Sequence, residues 1–563
     1  MYKPCIEKGI ALVACTAMLL IAFSATADVL TIDGSGNNLA DSLIGAAGTQ
    51  LQRIAPSDYG DGLSSPAGAT RPSAREISNQ IFDQSTSIPD TRNLSNFVWA
   101  WGQFVDHDID LTPGHSPANS FNITVPTGDP HFDPFHTGSQ TIPLDRSIYD
   151  TATGTSSPRE QVNVITSWLD GSNVYGSDIT RANALRSFAE GKLKTTAHAT
   201  GDMLPFNTPM LPNAGGTSPS LLLAGDIRAN ENVVLSSLHT LFVREHNNQA
   251  DEIALSNPTW TDEQVYQRAR KIVGAEIQSI TYNQFLPALG VNLADYTGYD
   301  SSLDAGITNE FSTAAYRFGH SMLSSVIDRL NETGQTISEG DLPLLDAFFR
   351  PDSLFNEGGI DPLLRGLASS NQQATDAKII DDVRNFLFGP PGAGGLDLAA
   401  LNIQRGRDHG LTDYNMMRQA YGLSAVLSFS DITSDTALAG ALSALYGSVD
   451  DIDAWVGLLA EDPMSGSSIG ETVAAILAKQ FGLLRDGDRF FYLNDSDFTA
   501  LELAALQDTS LSDIIIDNTE IGWMQNNVFF YVTRTPEPGT ALLAILGVMM
   551  IAARRPRREM LGG

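Results

Sequence analysis

Helical periodicity is the feature that most constrains what this 563-residue chain can fold into. From Asn93 onward, apolar residues recur at spacings of three and four, as on one face of a helix, and Gly/Pro loops separate these stretches. Few segments alternate with the period of two that is typical of strands. The pattern predicts a mainly α-helical fold, a single large domain with little β structure. Its clearest helices are expected over residues 94–110, 232–255, 261–285 and 438–445.

The charge balance limits the partners of such a domain. The chain has 34 Lys+Arg against 66 Asp+Glu, for a formal net charge of −32. This acidity argues against nucleic acid and against an anionic lipid surface as the main partner. It suits a solvated surface and calcium binding. Because 42% of the residues are hydrophobic, the chain can bury a sizeable core, and wholesale disorder is excluded.

Residues 1–27 have the layout of a cleaved secretory signal peptide. Two lysines precede an apolar run, and small residues end the segment at Ala27. A lipobox-like sequence ending at Cys15 is the alternative, but apolar sequence continues beyond it. Both cysteines, Cys5 and Cys15, lie in this segment, so the mature chain is expected to fold without disulfides.

The rest of the chain divides into an arm, a domain and a tail. Residues 28–92 are rich in Gly, Ser, Ala and Pro, which predicts a loosely structured N-terminal arm entering a domain at 93–530. Residues 535–560 contain Pro-Glu-Pro, a short apolar run and an Arg cluster. This tail resembles the PEP-CTERM sorting signal of Gram-negative bacteria. The resemblance implies a transient membrane anchor, sorting machinery and export toward the cell envelope or extracellular matrix; an ordinary C-terminal anchor is the alternative.

Four polar residues share one face of the first predicted helix. Gln103, Asp106, His107 and Asp110 lie at spacings of three, four and seven. An amide, an imidazole and two carboxylates beside aromatic residues are costly to bury without a purpose. The alternative is an ordinary solvated helix face.

A row of oxygen atoms follows in the segment around Asp170. Thr166, Asp170 and Ser172 would face the same way in an extended loop, and the carbonyl of Trp168 can complete the row. Calcium binds about six to eight oxygens, partly from carbonyls and hydroxyls. The alternative is a plain Asp-Gly turn.

Three further segments carry candidate functional residues. Arg228 and Glu231 stand three residues apart, just before a long helix. Gly319 precedes His320 and leaves room for a flat ligand to approach. The last segment, 401–410, is polar and rich in arginine.

The other histidines are interpreted as structural. No His-Glu-x-x-His pattern surrounds His239 or His246, so both are expected to be hydrogen-bonded in the core or an interface. Solvated or capping histidines are expected at His115, His131, His136, His198 and His409.

Together, the five segments resemble the animal-type haem peroxidases in order and spacing, over about residues 70–530. The resemblance implies an enzyme that reduces hydrogen peroxide and oxidises halides or pseudohalides (bromide, iodide, thiocyanate) or small aromatic donors. It assigns catalysis to three residues. His107 would move the peroxide proton, Arg228 would stabilise charge as the O–O bond breaks, and Gln103 would order water or halide.

The same resemblance implies haem b and calcium as cofactors. His320 would be the proximal iron ligand, and Asn402 would accept its ring N–H. The other haem-binding residues would be Asp106 and Glu231, through ester links, with Arg317 and Arg405 nearby. The calcium ligands would be Asp108, Thr166, the carbonyl of Trp168, Asp170 and Ser172.

One departure from the family pattern affects the expected donor. Asn232 stands where myeloperoxidase has a methionine that makes a third, sulfonium link to haem. Without that link the haem is expected to be less electron-poor, so chloride oxidation is not expected.

Two alternative functions are open. The related fatty-acid dioxygenases carry a radical-forming tyrosine three residues before the proximal histidine, where this chain has Arg317 and places Tyr316 four residues before. The other alternative is an extracellular matrix or adhesion protein that uses the peroxidase domain as a scaffold.

Overall fold

Helices dominate the computed structural model of the protein, which describes residues 29–532. A 3-10 helix spans Ala315–Met322 and a π-helical turn spans Thr281–Phe285. Short 3-10 turns lie at Leu344–Asp346, Phe429–Asp431 and Val449–Asp451. The α-helices are Ala74–Ile81, Phe97–Ile109, Ser172–Tyr175, Ile179–Leu185, Val233–Ser256, Asp262–Ile280, Leu286–Leu289, Asn309–Thr313, Pro351–Asn356, Asp361–Ser369, Asp381–Arg384, Leu398–Asp408, Tyr414–Ala420, Thr436–Tyr446, Ala454–Ala460, Glu471–Asp486, Ala500–Asp508 and Leu511–Asn518.

The β structure of the described residues consists of two-residue strands in separate pairs. Three pairs are antiparallel: Thr49–Gln50 with Val162–Asn163, Ile123–Thr124 with Thr141–Ile142, and Val326–Ile327 with Leu342–Pro343. Asp83–Gln84 and Ile379–Ile380 pair in parallel. The predicted mainly α-helical class with little β structure is confirmed.

The helices begin and end close to the predicted positions because the sequence supplies their caps. The Asn232 side chain accepts the N–H of Leu235 at the start of the 24-residue helix Val233–Ser256. Thr261 and Gln264 form a capping box at the start of Asp262–Ile280. These two long helices pack against each other and carry much of the core.

Aromatic packing fixes the first long helix, Phe97–Ile109, in the core. Phe104 stacks on Phe242 of the Val233–Ser256 helix, with ring centroids 5.0 Å apart, and Trp101 lies 5.6 Å from the same ring. Phe104 and Val105 are completely buried. The opposite face of this helix is therefore free to line a cavity.

The expectation of a loosely structured arm is wrong. Residues 29–92 lack long helices, but Leu51, Ile77, Ile81 and Phe82 are buried in the main core. Arg75 is fully buried between the carboxylates of Asp129 and Asp397, each 2.7 Å away. Turn-forming residues predicted irregular backbone correctly, whereas the packing of that backbone depends on contacts distant in sequence.

The predicted signal peptide (1–27) and sorting tail (535–560) lie outside the described residues. Within 29–532, no helix combines the length and apolarity needed to cross a membrane.

Candidate active site

One cavity of about 400 Å³ brings together the predicted functional residues of four separate segments. It lies between the Phe97–Ile109 helix, the loop before Val233–Ser256, the 3-10 helix Ala315–Met322 and the helix Leu398–Asp408. The predicted residues that line it are Gln103, Asp106, His107, Arg228, Glu231, Arg317, His320, Asn402 and Arg405.

The polar face of the Phe97–Ile109 helix lines one side of the cavity. Gln103, Asp106, His107 and the C-cap residue Asp110 all face it, as their helical spacing predicts. Asp108 lies off this face and is completely buried.

Arg228 is held by three acceptors. Its guanidinium donates two hydrogen bonds of 2.9 Å to the carboxylate of Asp226, one of 3.1 Å to Asp106 Oδ2 and one of 2.7 Å to the carbonyl of Asp110. Burial alone would raise the pKa of Asp226, but the charge of Arg228 and the hydrogen bonds that Arg228 donates are the main contributions that together hold that pKa well below its usual range. A charge-assisted, bidentate pair of this kind fixes the guanidinium in place.

Sequence reasoning missed Asp226, although it precedes Arg228 by two residues. Asp226 is 2% exposed and its Oδ1 lies 3.5 Å from Nδ1 of His107. It therefore sits behind both proposed catalytic side chains. The spacing could have indicated it, because an Asp can form an Asx-type turn with the residue two positions later. In the structure, Asp226 Oδ1 accepts the N–H of Arg228 at 2.7 Å.

His107 is a buried, neutral imidazole at the wall of the cavity. Its ring is 2% exposed. Burial lowers the pKa of His107 well below its usual value, and the nearby positive charge of Arg228 lowers it further. A neutral imidazole can accept a proton at any pH near neutrality.

A short hydrogen-bond chain fixes Gln103. Its amide nitrogen donates to Glu231 Oε2 at 3.2 Å, and its amide oxygen accepts from Asn232 Nδ2 at 3.1 Å. Asn232 thus caps the long helix and orients Gln103 at the same time. The sequence marked Asn232 only as a departure from a family pattern, and this second role depends on tertiary contact.

On the other side of the cavity, His320 and Arg317 lie on the 3-10 helix, three residues apart on one edge. Nδ1 of His320 is 2.7 Å from Asn402 Nδ2, and Asn402 Oδ1 accepts from Arg317 Nη1 at 3.0 Å. The contact between Asn402 and His320 was expected, but the amide presents its nitrogen rather than its oxygen. Burial lowers the pKa of His320 to about 3, so the ring is neutral.

The helix Leu398–Asp408 also presents Arg405, which donates to the carbonyl of Asp145 and to Ser147 Oγ at 2.8 and 2.9 Å. His409 is the C-cap residue of this helix, as the capping alternative expected, but it is not solvated. It lines the cavity, is 1% exposed, and its ring contacts Asn309 Oδ1 and Ser147 Oγ, each at 2.7 Å.

Both long-helix histidines lie in the core, as expected, but the expected hydrogen bonds are confirmed only for His246. His246 Nδ1 is 2.9 Å from the hydroxyl of Tyr175, and its Nε2 is 2.9 Å from the carbonyl of Gly191. His239 is completely buried against Phe104, with ring centroids 5.1 Å apart.

Two carboxyl groups that line the cavity have pKa values raised toward neutral pH. Burial raises the pKa of Glu231 to about 7 and also raises that of Asp106, while Arg228 opposes both shifts. Both side chains can therefore be protonated or ionised at small cost. Such groups can lose a proton and serve as nucleophiles toward a ligand in the cavity.

The residues predicted to bind calcium lie together behind the Phe97–Ile109 helix. Asp170 Oδ1 accepts from Thr166 Oγ1 at 3.2 Å, and Ser172 Oγ donates to the carbonyl of Asp108 at 2.7 Å. Trp168 is completely buried, and its Nε1 donates to the carbonyl of Gly34 at 3.0 Å. The arm thus holds this loop against the domain.

Two carboxylates at this site, Asp108 of the Phe97–Ile109 helix and Asp170 of the loop, are short of positive partners. Asp108 and Asp170 are 0% and 2% exposed, and Asp170 Oδ2 has no hydrogen-bond partner in the described residues. The guanidinium of Arg270 lies 3.7 Å from Asp170 Oδ2. Burial, and then the charge of Asp170, raise the pKa of Asp108 well above its usual value. No cluster of three or more His, Cys, Asp or Glu suited to a metal occurs in residues 29–532, so hydroxyl and carbonyl oxygens would have to complete a calcium site.

The cavity suits a flat anionic ligand with a central metal. Beside His320, a side-chain atom added at Gly319 would meet nothing within 4 Å, so space is open there. Arg317 and Arg405 line the cavity and can bind carboxylates. His107, Arg228 and the neutral His320, which all line the cavity, fit a haem with one imidazole ligand.

Comparison with known proteins identifies the family of this chain. The profile of the animal haem peroxidases matches residues 29–529. Peroxinectin A of Dictyostelium discoideum is 38% identical over 528 residues, which cover 91% of this chain and 97% of that protein.

Solved structures agree. Peroxidase A from Dictyostelium discoideum superposes with a TM-score of 0.84 at 38% identity, covering 90% of this chain and 100% of that one. The fatty acid α-dioxygenase of Oryza sativa superposes with a TM-score of 0.74 at 22% identity, covering 90% of this chain and 87% of that one, which is a likeness of fold alone. The chain therefore belongs to the animal haem peroxidase family and is an oxidoreductase of the haem peroxidase type.

Proposed function

We propose that this peroxidase reduces hydrogen peroxide in the cavity between His107 and His320 and oxidises bromide, iodide, thiocyanate or small aromatic donors. The observation that carries the proposal is the convergence of His107, Arg228 and His320, far apart in sequence, on one cavity. Haem bound there would supply the iron that binds peroxide and the conjugated ring that holds oxidising equivalents.

The distal residues support proton transfer coupled to O–O cleavage. Neutral His107 would accept the proton of peroxide at Nε2 and deliver it to the leaving oxygen, which departs as water. Arg228 would stabilise the negative charge that develops on that oxygen, and it needs no reorganisation because Asp226 already fixes it. Gln103, oriented by Asn232, would hold water or a halide ion.

The proximal residues support iron binding. We propose His320 as the ligand through Nε2, with Asn402 at Nδ1. In that state Nδ1 carries the proton, so the Asn402 amide must turn to present its oxygen and release Arg317 Nη1. Arg317 would then be free to bind a carboxylate of the cofactor, together with Arg405.

Asp106 and Glu231 are proposed to form ester links to the cofactor. Both line the cavity, and their raised pKa values keep a protonated carboxyl accessible near neutral pH. Two such links would retain the cofactor in a chain whose only cysteines are Cys5 and Cys15. Asn232 provides no sulfur for a third link, so chloride is not among the proposed donors.

We propose that the protein acts outside the cytoplasm, in the cell envelope or extracellular matrix of a Gram-negative bacterium. The support is the signal-like segment 1–27, the sorting-like tail 535–560 and the acidic composition of the chain. Between them we propose an N-terminal arm (28–92), whose described residues pack into the core, entering a peroxidase domain (93–530). A dioxygenase function is less well supported, because the position three residues before His320 holds Arg317, which contacts Asn402.

An absorption spectrum followed by acid–acetone extraction tests this proposal. The purified protein should show a Soret band that shifts with peroxide and stays with the polypeptide on extraction. Asp106→Asn combined with Glu231→Gln should release the haem into the organic phase. Absence of a Soret band, or robust chlorination at neutral pH, would contradict the proposal.

Calcium is proposed to bind the Asp108 and Asp170 carboxylates and to stabilise the protein more at neutral than at acidic pH. Without a cation, burial raises the pKa of Asp170 from 3.8 to about 6. Between these values the folded state binds more protons than the unfolded state, so the free energy of unfolding falls as pH rises. Calcium reverses this trend because it binds the ionised form. The gain in Tm when calcium is added to EGTA-treated protein should therefore increase from pH 5 to pH 7.

Asp170→Asn should lose most of that gain. The matched control is Asp251→Asn, an exposed residue paired with Lys192 at 2.6 Å, which should keep it. An equal gain at both pH values would argue against calcium at these carboxylates.

A further inference from the structure

His409 lines the cavity, yet the proposed peroxide chemistry does not use it. Its ring is 1% exposed, and both ring nitrogens have close polar partners. Nδ1 lies 2.7 Å from Asn309 Oδ1, and Nε2 lies 2.7 Å from Ser147 Oγ. A buried imidazole with two short contacts of this kind can hold the groups on either side of it in fixed positions.

Arg53 sets the direction of the hydrogen bonds on one side of this ring. A guanidinium can only donate, so Gln161 must present its amide oxygen to Arg53 Nη2, which is 3.2 Å away. The same oxygen accepts from Asn309 Nδ2 at 2.8 Å, which leaves the amide oxygen of Asn309 facing His409. Nδ1 of His409 therefore carries the proton and donates to Asn309.

Arg405 sets the direction on the other side of the ring. Because Nδ1 holds the single proton of a neutral imidazole, Nε2 is unprotonated and accepts the hydroxyl proton of Ser147. The Ser147 oxygen in turn accepts from Arg405 Nη1 at 2.9 Å. Burial, and then the positive charge of Arg405, lower the pKa of His409 well below its usual value, in agreement with a neutral ring.

This chain of hydrogen bonds ends on one nitrogen of Arg405. Nη1 also donates to the carbonyl of Asp145 at 2.8 Å and to Asp408 Oδ2 at 3.0 Å. Within residues 29–532, the hydrogen bonds of Arg405 all come from Nη1, although the side chain lines the cavity. Nε and Nη2 therefore remain for a carboxylate in the cavity, which a guanidinium can bind through two parallel hydrogen bonds.

We propose that His409 is a positioning residue for Arg405, that it acts through Ser147, and that it thereby fixes the positive charge that binds a carboxylate of the cofactor. This inference rests on the proposed haem peroxidase function. Asn309, His409 and Ser147 each donate to one neighbour and accept from the other. Loss of one link therefore leaves the remaining groups free to turn.

The first test is the reduction potential of the haem-loaded protein, measured by spectroelectrochemical titration. A fixed guanidinium beside a cofactor carboxylate favours reduction of the iron, because it offsets negative charge. His409→Phe keeps a ring of similar size but removes both ring nitrogens, so Ser147 loses its acceptor. We expect the equilibrium constant for reduction to fall by about tenfold, which is about 59 mV for a one-electron couple.

Three further variants distinguish the hydrogen-bond chain from simple packing. Ser147→Ala breaks the chain with a smaller change and should shift the potential in the same direction. The shift of the double variant should equal that of one single variant and not the sum of both, because the two residues act in one chain. His409→Gln should restore most of the parent potential, since its amide supplies one donor and one acceptor.

The matched control is Thr313→Val. It removes a hydroxyl that lies 3.0 Å from His409 Nδ1 and from Asn309 Oδ1, but it leaves the chain to Arg405 intact. The potential of this variant should equal that of the parent protein. If His409→Phe does not fold, Ser147→Ala and His409→Gln carry the test.

The outcomes separate the positioning role from the proposed function. A parent protein that binds no haem would overturn both. A haem-loaded parent whose potential is unchanged in His409→Phe and Ser147→Ala would overturn the positioning role alone. A shift that His409→Gln does not reverse, or that Thr313→Val reproduces, would also overturn it, because local packing would then explain the shift.

Discussion

Replacement of His107 by Ala should lower kcat/KM for hydrogen peroxide by about 10²–10⁴-fold, the usual contribution of a positioned general base. The ring is 2% exposed, and burial lowers its pKa, so it is ready to accept a proton at neutral pH. Alanine removes the proton acceptor and leaves the His320 side of the cavity in place. The measurement is the initial rate of peroxide consumption with a small aromatic donor.

The matched control is His136→Ala, an exposed histidine that should leave the rate unchanged. The Soret band of His107→Ala should be retained, which shows that the variant still holds its cofactor. Turnover unchanged in His107→Ala would argue for a scaffold role of the domain instead of catalysis.

Arg228→Leu should lower the same kcat/KM by about 10²–10³-fold, the loss typical when one donor to a developing negative charge is removed. Arg228 is the only arginine that the structure shows bonded to both Asp226 and Asp106 within residues 29–532. Loss of its charge also leaves Asp226 buried without a strong partner, so the Tm should be measured beside the rate.

Two further variants separate the effect of the charge of Arg228 from the effect of its orientation. Arg228→Lys keeps the charge but cannot make the paired hydrogen bonds to Asp226, so it should recover only part of the rate. Asp226→Asn keeps the arginine but weakens its anchor and removes the negative charge 3.5 Å from His107. A full wild-type rate in Asp226→Asn would show that Arg228 needs no anchor.

Local sequence was enough to predict the helices and which residues share one face of a helix. The cap at Asn232, the capping box at Thr261 and the spacing from Gln103 to Asp110 all depend on residues within one or two turns. These interactions act in any context in which the helix forms. The helical class and the polar face of Phe97–Ile109 could therefore be predicted.

Contacts between distant segments were harder to predict. Nothing near His409 in sequence shows that Ser147 and Asn309 surround its ring. Likewise, composition predicted a loose arm, yet Arg75 is fixed between Asp129 and Asp397 in the core. Gly- and Pro-rich sequence reports the shape of the backbone but not its burial.

The sequence by itself determined the helical class, the order of the functional segments and the residue types available for peroxide chemistry. Only the tertiary structure decided that Asp226 supports both His107 and Arg228 and that Asn232 orients Gln103. The physical reason is the separation along the chain over which each kind of interaction acts. Helix periodicity and capping act between neighbours in the chain, whereas hydrogen bonds, ion pairs and ring contacts depend on side chains that meet only when the core packs.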